Sequence, residues 1–371
     1  MWQQSYSFSY SILILIGLAF LYLVLPLVLQ YLVGEEFYIF SKYQFSVASA
    51  SGFFFLSLSA MILLLSKKVK ITTYLGLSRP SDRLCKLIFL LNFAYLFIVL
   101  VRGIILRSNG VSREELLNVV SSQLIPGYGY LLLITSLCII YLKDKWYLVI
   151  FLVLAFSIDI VYQGKIFATV GLMITMFYLD NTKYRFSVWR ILMLALCGFG
   201  FLTLIFVIRS INAEGGTPND DLVTVYTFFS EFMGVNATAG WGYEYFSLNL
   251  PSNLLNFDPV LQKYYLSSVG HGLAISPVGY LFGNFGNYYI LAAIVYLLCV
   301  FGLFYISSKI IGRYVIFVFM YNYIHLLRHG PDIFLYKCVL QIIFLTFVII
   351  FIRVITSNKR KLNLTNNEDW N

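Results

Sequence analysis

Charge is what this sequence has least of. Only 12% of its residues are Asp, Glu, Lys or Arg, 60% are hydrophobic, and the mean hydropathy is +0.82. A soluble domain carries roughly a quarter charged residues, so a water-soluble globular fold is excluded. Histidine is scarce too, with three residues, His271, His325 and His329, and a histidine-rich metal centre is excluded with it. The five cysteines, Cys85, Cys138, Cys197, Cys299 and Cys338, lie in or beside apolar runs and form no C-x-x-C pair. That removes a disulfide framework and a zinc site. There is no G-x-x-x-x-G-K-[ST] for ATP-driven transport by this chain and no H-E-x-x-H of a zinc protease. There is also no D-x-D of a nucleotide-sugar enzyme that uses a metal-diphosphate site. No internal repeat or low-complexity linker stands out. The N-terminus lacks a basic region followed by a small-residue cleavage site, so the first apolar run is expected to stay as a span.

What the chain has in quantity is apolar runs near the length of a membrane crossing, which needs roughly 20 residues. They fall at 11–33, 47–65, 87–106, 128–142, 146–161, 166–179, 188–208, 288–306, 314–327 and 333–352. Pro26 predicts a kink in the first, tolerated in lipid where neighbours satisfy the freed backbone. Ser112 and Glu115 fit a capping box opening a short surface helix. The fold class expected is all-α: a polytopic integral membrane bundle of about ten transmembrane helices. Residues 1–208 form the first part of the bundle and 287–353 the last, with a cytoplasmic tail at 354–371.

Residues 209–286 are the one long polar-rich segment, expected to be a large extracytoplasmic loop with interfacial or re-entrant helices. Leu222, Val225, Tyr226, Phe229, Phe232 and Met233 recur at helical spacing, opposite Thr224, Thr227 and Glu231, which suits a helix lying in the interface plane. The glycine-rich stretch 270–286 is fit to re-enter the bilayer without spanning it, where such backbone survives only if buried in protein or lining a wet cavity.

An even number of spans puts both termini on one side. With that side cytoplasmic, Lys and Arg concentrate inside, as the positive-inside rule requires. The formal net charge of +9 then needs no nucleic-acid partner. The exceptions are informative. Arg102, Arg107, Arg113, Lys165, Arg209, Arg328 and Lys337 all fall on the outer side, most at helix ends. Each alone is readable as a side chain snorkelling to outer headgroups. Together, from different spans, they are expected to line a shared cationic cavity, with arginine suited to phosphate by its planar fork. His271 sits between two glycines and has a pKa range suited to taking a proton from a hydroxyl, or it is an ordinary loop histidine. His325 and His329 are four apart, which is also metal-ligand spacing, but no third ligand accompanies them and no metal is expected. Asp159, Glu214, Asp220, Asp221, Glu231 and Glu244 are outer carboxylates able to orient a sugar hydroxyl or serve as solvated loop charges. Trp241, Tyr243, Tyr245, Tyr264 and Tyr265 offer aromatic faces that stack on sugars or form an interface belt.

Gln163-Gly164-Lys165 opening a short span, Ile208-Arg209-Ser210 at the start of the large loop, and the run from His271 to Gly286 carry a resemblance. The chain resembles the Wzy-type O-antigen or capsular repeat-unit polymerases. The run beginning at His271 is also similar to the related O-antigen ligases, in which a histidine begins such a run. The resemblance covers most of the chain in topology and few residues in identity. It implies joining of undecaprenyl-pyrophosphate-linked oligosaccharides at the outer face of the bacterial cytoplasmic membrane, without metal, nucleotide or other cofactor. His271 and Arg209 would be catalytic. Arg102, Arg107, Lys165, Arg328, Glu231 and Asp159 would hold pyrophosphate or glycan. A chain-length regulator is the protein partner it suggests. The ligase of the same superfamily and a flippase or transporter for a lipid-linked oligosaccharide are the rival readings. The missing repeat counts against the transporter.

Overall fold

In the computed structural model the described residues are 10–33, 44–68, 81–112, 115–116, 127–164, 166–181, 276–312 and 314–368, with isolated positions at 189, 193, 200, 232, 235, 238–240 and 242–243. Every regular element among them is helical. Among the described residues, five helices are long and apolar enough to cross a membrane, and three shorter apolar ones accompany them. The protein is a multi-pass membrane helix bundle. It divides into two compact units, Met1–Leu77 with Phe229–Asn371, and Ser78–Phe228. The first helices therefore associate with the last ones, across the linear order of the chain.

In the first unit, α1 (Tyr10–Leu23) and α2 (Leu25–Val33) are one apolar run broken at Val24. Pro26 accounts for the break, because it has no N–H to donate and its ring obstructs the preceding turn. Next come α3 (Gln44–Lys68), α8 (Pro277–Phe285), α9 (Tyr289–Ile311), α10 (Tyr314–Arg328) and α11 (Pro331–Glu368). Most of their surface is apolar, as in helices facing both lipid and protein, and α10 and α11 carry polar side chains where they meet. Between 28% and 39% of each spanning window is buried in the protein. Lipid is as apolar as leucine, so the helices are held by packing and by hydrogen bonds. Phe304, Phe319 and Phe334, one each from α9, α10 and α11, form the packing centre. Phe319 meets Phe304 edge-on at 4.9 Å and Phe334 edge-on at 5.4 Å. Between α10 and α11, Asn322 and Gln341 exchange amide hydrogen bonds of 2.7 and 3.4 Å.

The stretch 270–286 is described from Ser276 onward. It forms α8, a nine-residue helix opened by Pro277 and capped by the Ser276 hydroxyl, which accepts from Val278 N–H. Residues 277–283 are all buried. At 1.5 Å per residue such a helix is far too short for a core of about 30 Å. Counted with α9 the stretch reaches 35 residues, but Gly286, at φ 53 and ψ −124, divides it. Backbone meets backbone here: a Cβ on Gly279 would strike the Thr238 carbonyl, and one on Gly242 the Gly279 carbonyl. Small residues permit that approach between membrane helices. Thr238 is wholly buried, and its hydroxyl accepts from Ser276 N–H at 2.8 Å.

In the second unit, α4 (Asp82–Ser108), α5 (Tyr128–Leu142), α6 (Lys145–Tyr162) and α7 (Ile166–Asn181) pack together, α4 against α5 and α6, and α7 against α5 and α6. Their ends are set by local chemistry. Ser81 caps α4 through Leu84 N–H, and Asp144 caps α6 through Trp146 N–H. The expected capping box is present and reciprocal. Ser112 N–H donates to Glu115 Oε2 at 3.3 Å, and Glu115 N–H to Ser112 Oγ at 3.4 Å. At the other end of the chain, α11 runs on to Glu368, so the polar tail expected from 354 begins as a continuation of the last helix.

Candidate functional site

Arg209, His271, Glu231, Lys165 and Arg113 lie outside the described residues. Of the remaining outer charges, Arg102, Arg107 and Asp159 belong to one compact unit, and Arg328 and Lys337 to the other.

In the unit built from α4 to α7, the charges serve the helices they sit on. Arg102 is exposed on α4, as a snorkelling side chain is. Arg107 is half-buried in the last turn of α4, where a cation suits the negative helix end. Asp159, expected among the substrate-binding carboxylates, serves the fold. It is 2% exposed, and its Oδ2 accepts from Ala168 N–H at 2.6 Å. Its own carbonyl accepts from Gly164 N–H at 2.9 Å. A Cβ on Gly164 would lie 2.8 Å from Asp159 Oδ1, so only glycine lets the turn close this tightly over the carboxylate. The result is a capped start to α7.

At the junction of α10 and α11, four nitrogen-bearing side chains converge. His325 and Arg328 occupy the last turn of α10, His329 follows, Gly330 turns the chain at φ +95, and Lys337 lies in the second turn of α11. Lys337 Nζ is 2.9 Å from His325 Nε2. The His325 and His329 rings stand edge to face, 5.1 Å apart at 83°. Arg328 is also within electrostatic reach of Tyr22 on α1. Burial first, then Arg328 and Lys337, pushes His329 from 6.5 down to about 4. It is therefore neutral at physiological pH. Nδ1 of His325 and Nδ1 of His329 are buried and meet no hydrogen-bond partner among the described residues. No cluster of three metal-ligating side chains occurs among the described residues.

Beside this junction a cavity of about 450 Å³ opens between α8, α9 and the start of α11. Tyr280, Tyr288, Tyr296 and Leu291 line it, together with Pro331 and Asp332. Tyr296 Oη donates to the Pro331 carbonyl at 3.0 Å, tying α9 to the turn. Asp332 falls in the first turn of α11, where an acid is favoured by the helix dipole. Two residues that follow the cationic turn, Pro331 and the acid Asp332, thus belong to the lining of this largely apolar cavity.

Of the residues expected to bind pyrophosphate, Arg328 is in this cluster. Lys337 joins it, having been read only as one of the outer charges, as do His325 and His329, read as a pair with metal-ligand spacing. Their twelve-residue separation, His325 to Lys337, becomes a contact only when the chain turns back at Gly330. Tyr280, Tyr288 and Tyr296 carried no sequence signal beyond aromaticity. Comparison with known proteins yields no matching family model, no similar curated protein and no similar solved structure.

Proposed function

We propose that this chain is a membrane glycosyltransferase that polymerises undecaprenyl-pyrophosphate-linked oligosaccharide repeat units into O-antigen, capsule or another surface polysaccharide. The observation that carries the reading is the convergence of Arg328, Lys337, His325 and His329 at one helix junction, whose next residues, Pro331 and Asp332, line an apolar cavity. A lipid pyrophosphate needs both surroundings: fixed cations for the charge and apolar walls for the chain. In the reaction, a hydroxyl of the incoming unit attacks the anomeric carbon of the growing chain. The bond from that carbon to the pyrophosphate oxygen breaks. The hydroxyl proton leaves to a base, and undecaprenyl pyrophosphate departs. Charge develops on the departing oxygen, where preorganised donors act most strongly. Arg328 would supply a planar, permanently charged fork. Arg209 and His271 keep the roles the resemblance implies, and the site would face outward from the cytoplasmic membrane with both termini inside. A chain-length regulator is the partner this role suggests.

One observation favours a second reading. The His325–Lys337 and Asn322–Gln341 contacts make a polar ladder through the α10–α11 interface, and ionisable groups inside spans also mark transport pathways. Deletion of the gene, with complementation by wild type and by Arg328→Ala, decides between them by glycan gel. Polymerase predicts that the ladder collapses to a single repeat unit on its final acceptor, and that Arg328→Ala, present at normal level, leaves it so. Accumulation of lipid-linked polymer instead identifies the ligase. An unchanged ladder sinks both and leaves transport.

A further inference from the structure

The α10–α11 junction specifies more than positive charge. With Lys337 as an ammonium, which has donors and no acceptor, His325 Nε2 accepts its hydrogen bond at 2.9 Å. The single proton of a neutral imidazole then sits on Nδ1, a tautomer assigned from its partner. That Nδ1 is buried and meets no acceptor among the described residues. Buried donors are matched almost everywhere in native folds, and an unmatched one is destabilising. A backbone bond, His329 N–H to the His325 carbonyl at 2.8 Å, holds the second ring one turn on. The charges acting on both rings are those of Arg328 and Lys337, and no carboxylate among the described residues acts on either. The groups facing the two rings thus suit an oxyanion.

Resting on the reading of this junction as a pyrophosphate seat, we propose that Lys337 is a positioning residue that holds His325 in its Nδ1–H tautomer, so that His325 donates a hydrogen bond to a phosphate oxygen of the lipid-linked donor beside Arg328. A histidine held in this way is no general base, because the nitrogen with the lone pair is already engaged by Lys337. His325 stabilises charge on the departing group, and the proton of the acceptor hydroxyl goes elsewhere. The Asn322–Gln341 pair one turn below ties the same helices with every amide partner inside the protein. The upper pair differs by leaving a donor over.

The test uses the full chain in lipid nanodiscs with 15N-labelled histidine, and inorganic pyrophosphate as the probe. With three histidines in the chain, single His→Gln changes assign the spectrum. The expected result is a proton on His325 Nδ1 and a shift of that nitrogen as pyrophosphate is added. Lys337→Gln should weaken pyrophosphate binding about tenfold or more, the scale of one hydrogen bond to a charged group. Lys337→Arg should restore it to within a few-fold. His325→Asn puts an amide nitrogen near the place of Nδ1 and should keep binding. His325→Gln puts it near Nε2 and should lose about as much as Lys337→Gln. A proton on Nε2, no movement of His325 with pyrophosphate, or equal loss in both His325 variants overturns the proposal. If His325 responds as stated while Arg328→Ala leaves the glycan ladder intact, the polymerase reading fails and this one stands. A ladder lost in Arg328→Ala, with His325 unmoved by pyrophosphate, is the reverse.

Discussion

The α6–α7 turn and the α10–α11 turn both bring ionisable side chains to a helix junction of a few residues, and they treat them differently. At the first, Asp159 is buried and capped onto α7, with Gly164 closing over it. Nearby phenols in the same unit are matched as well: Tyr162 Oη donates to the Val99 carbonyl at 2.8 Å, and Tyr178 Oη to the Lys143 carbonyl at 2.7 Å. At the second turn, the imidazole Nδ1 atoms of His325 and His329 are buried without partners among the described residues, and so is Tyr323 Oη within α10. A buried charge whose hydrogen bonds close inside the protein holds the fold together. A buried donor left open is destabilising unless something outside the protein meets it. That contrast is what sets the proposed site at the α10–α11 junction apart from the α6–α7 turn.

The comparison breaks most visibly at Asp159. Asp159→Ala should cost about 2 kcal/mol or more of stability, since a hydrogen bond to a charged group is worth roughly 1.5–3 kcal/mol. Thermal unfolding in nanodiscs measures it, and polymer made per folded molecule should not change. Normal stability with lost polymer would return Asp159 to the substrate site. The next effect is a pH dependence. His329 titrates near 4 in the folded state against 6.5 in the unfolded chain. The folded state thus binds fewer protons between these values, so its stability is full above about pH 6.5 and falls as pH drops toward 4. His329→Gln should flatten the unfolding temperature across that window relative to wild type, and an unchanged slope would contradict the burial argument. A smaller contrast pairs two phenols. Tyr162→Phe should lose about 1 kcal/mol, whereas Tyr323→Phe should be neutral or slightly stabilising, because it removes an unmatched hydroxyl. A destabilised Tyr323→Phe would show that this hydroxyl has a partner after all. Smallest is Arg102→Gln. Exposed on α4, it should shift stability by no more than about 0.5 kcal/mol and leave the glycan ladder intact, separating it from Arg328.

The fold was legible where short-range chemistry decides it. The run 128–142 is the α5 helix to the residue, because Gly127, in the left-handed region at φ 81, and the Lys143-Asp144-Lys145 break bound it on both sides. Pro26 breaks the first run near where it stands, and Ser112 and Glu115 pair as a capping box must. The site was legible only in part. Arg328 stood out by its side of the membrane, but so did Arg102, and the same rule of charge bias cannot tell a snorkelling arginine from a converging one. Asp159 looked like a substrate carboxylate because its partner, Ala168 N–H, is a backbone group, which no residue identity announces.

Composition and the length of apolar runs by themselves determined a multi-pass helical membrane protein, since a chain with so little charge has no other solvent in which to fold. Glycine, proline and capping residues set most helix ends, because those effects act within a turn or two of the residue that causes them. Which helices meet was decided only by tertiary structure. Apart from the polar positions that face each other on α10 and α11, the helix faces are largely apolar, so little periodic pattern records the partner. The return of the chain at Gly330 made a pair of His325 and Lys337, and the backbone approach at Gly279 buried the short helix beside them. The matching of donors and acceptors, which separates the capped Asp159 from the open His325, is a property of those contacts and of nothing shorter.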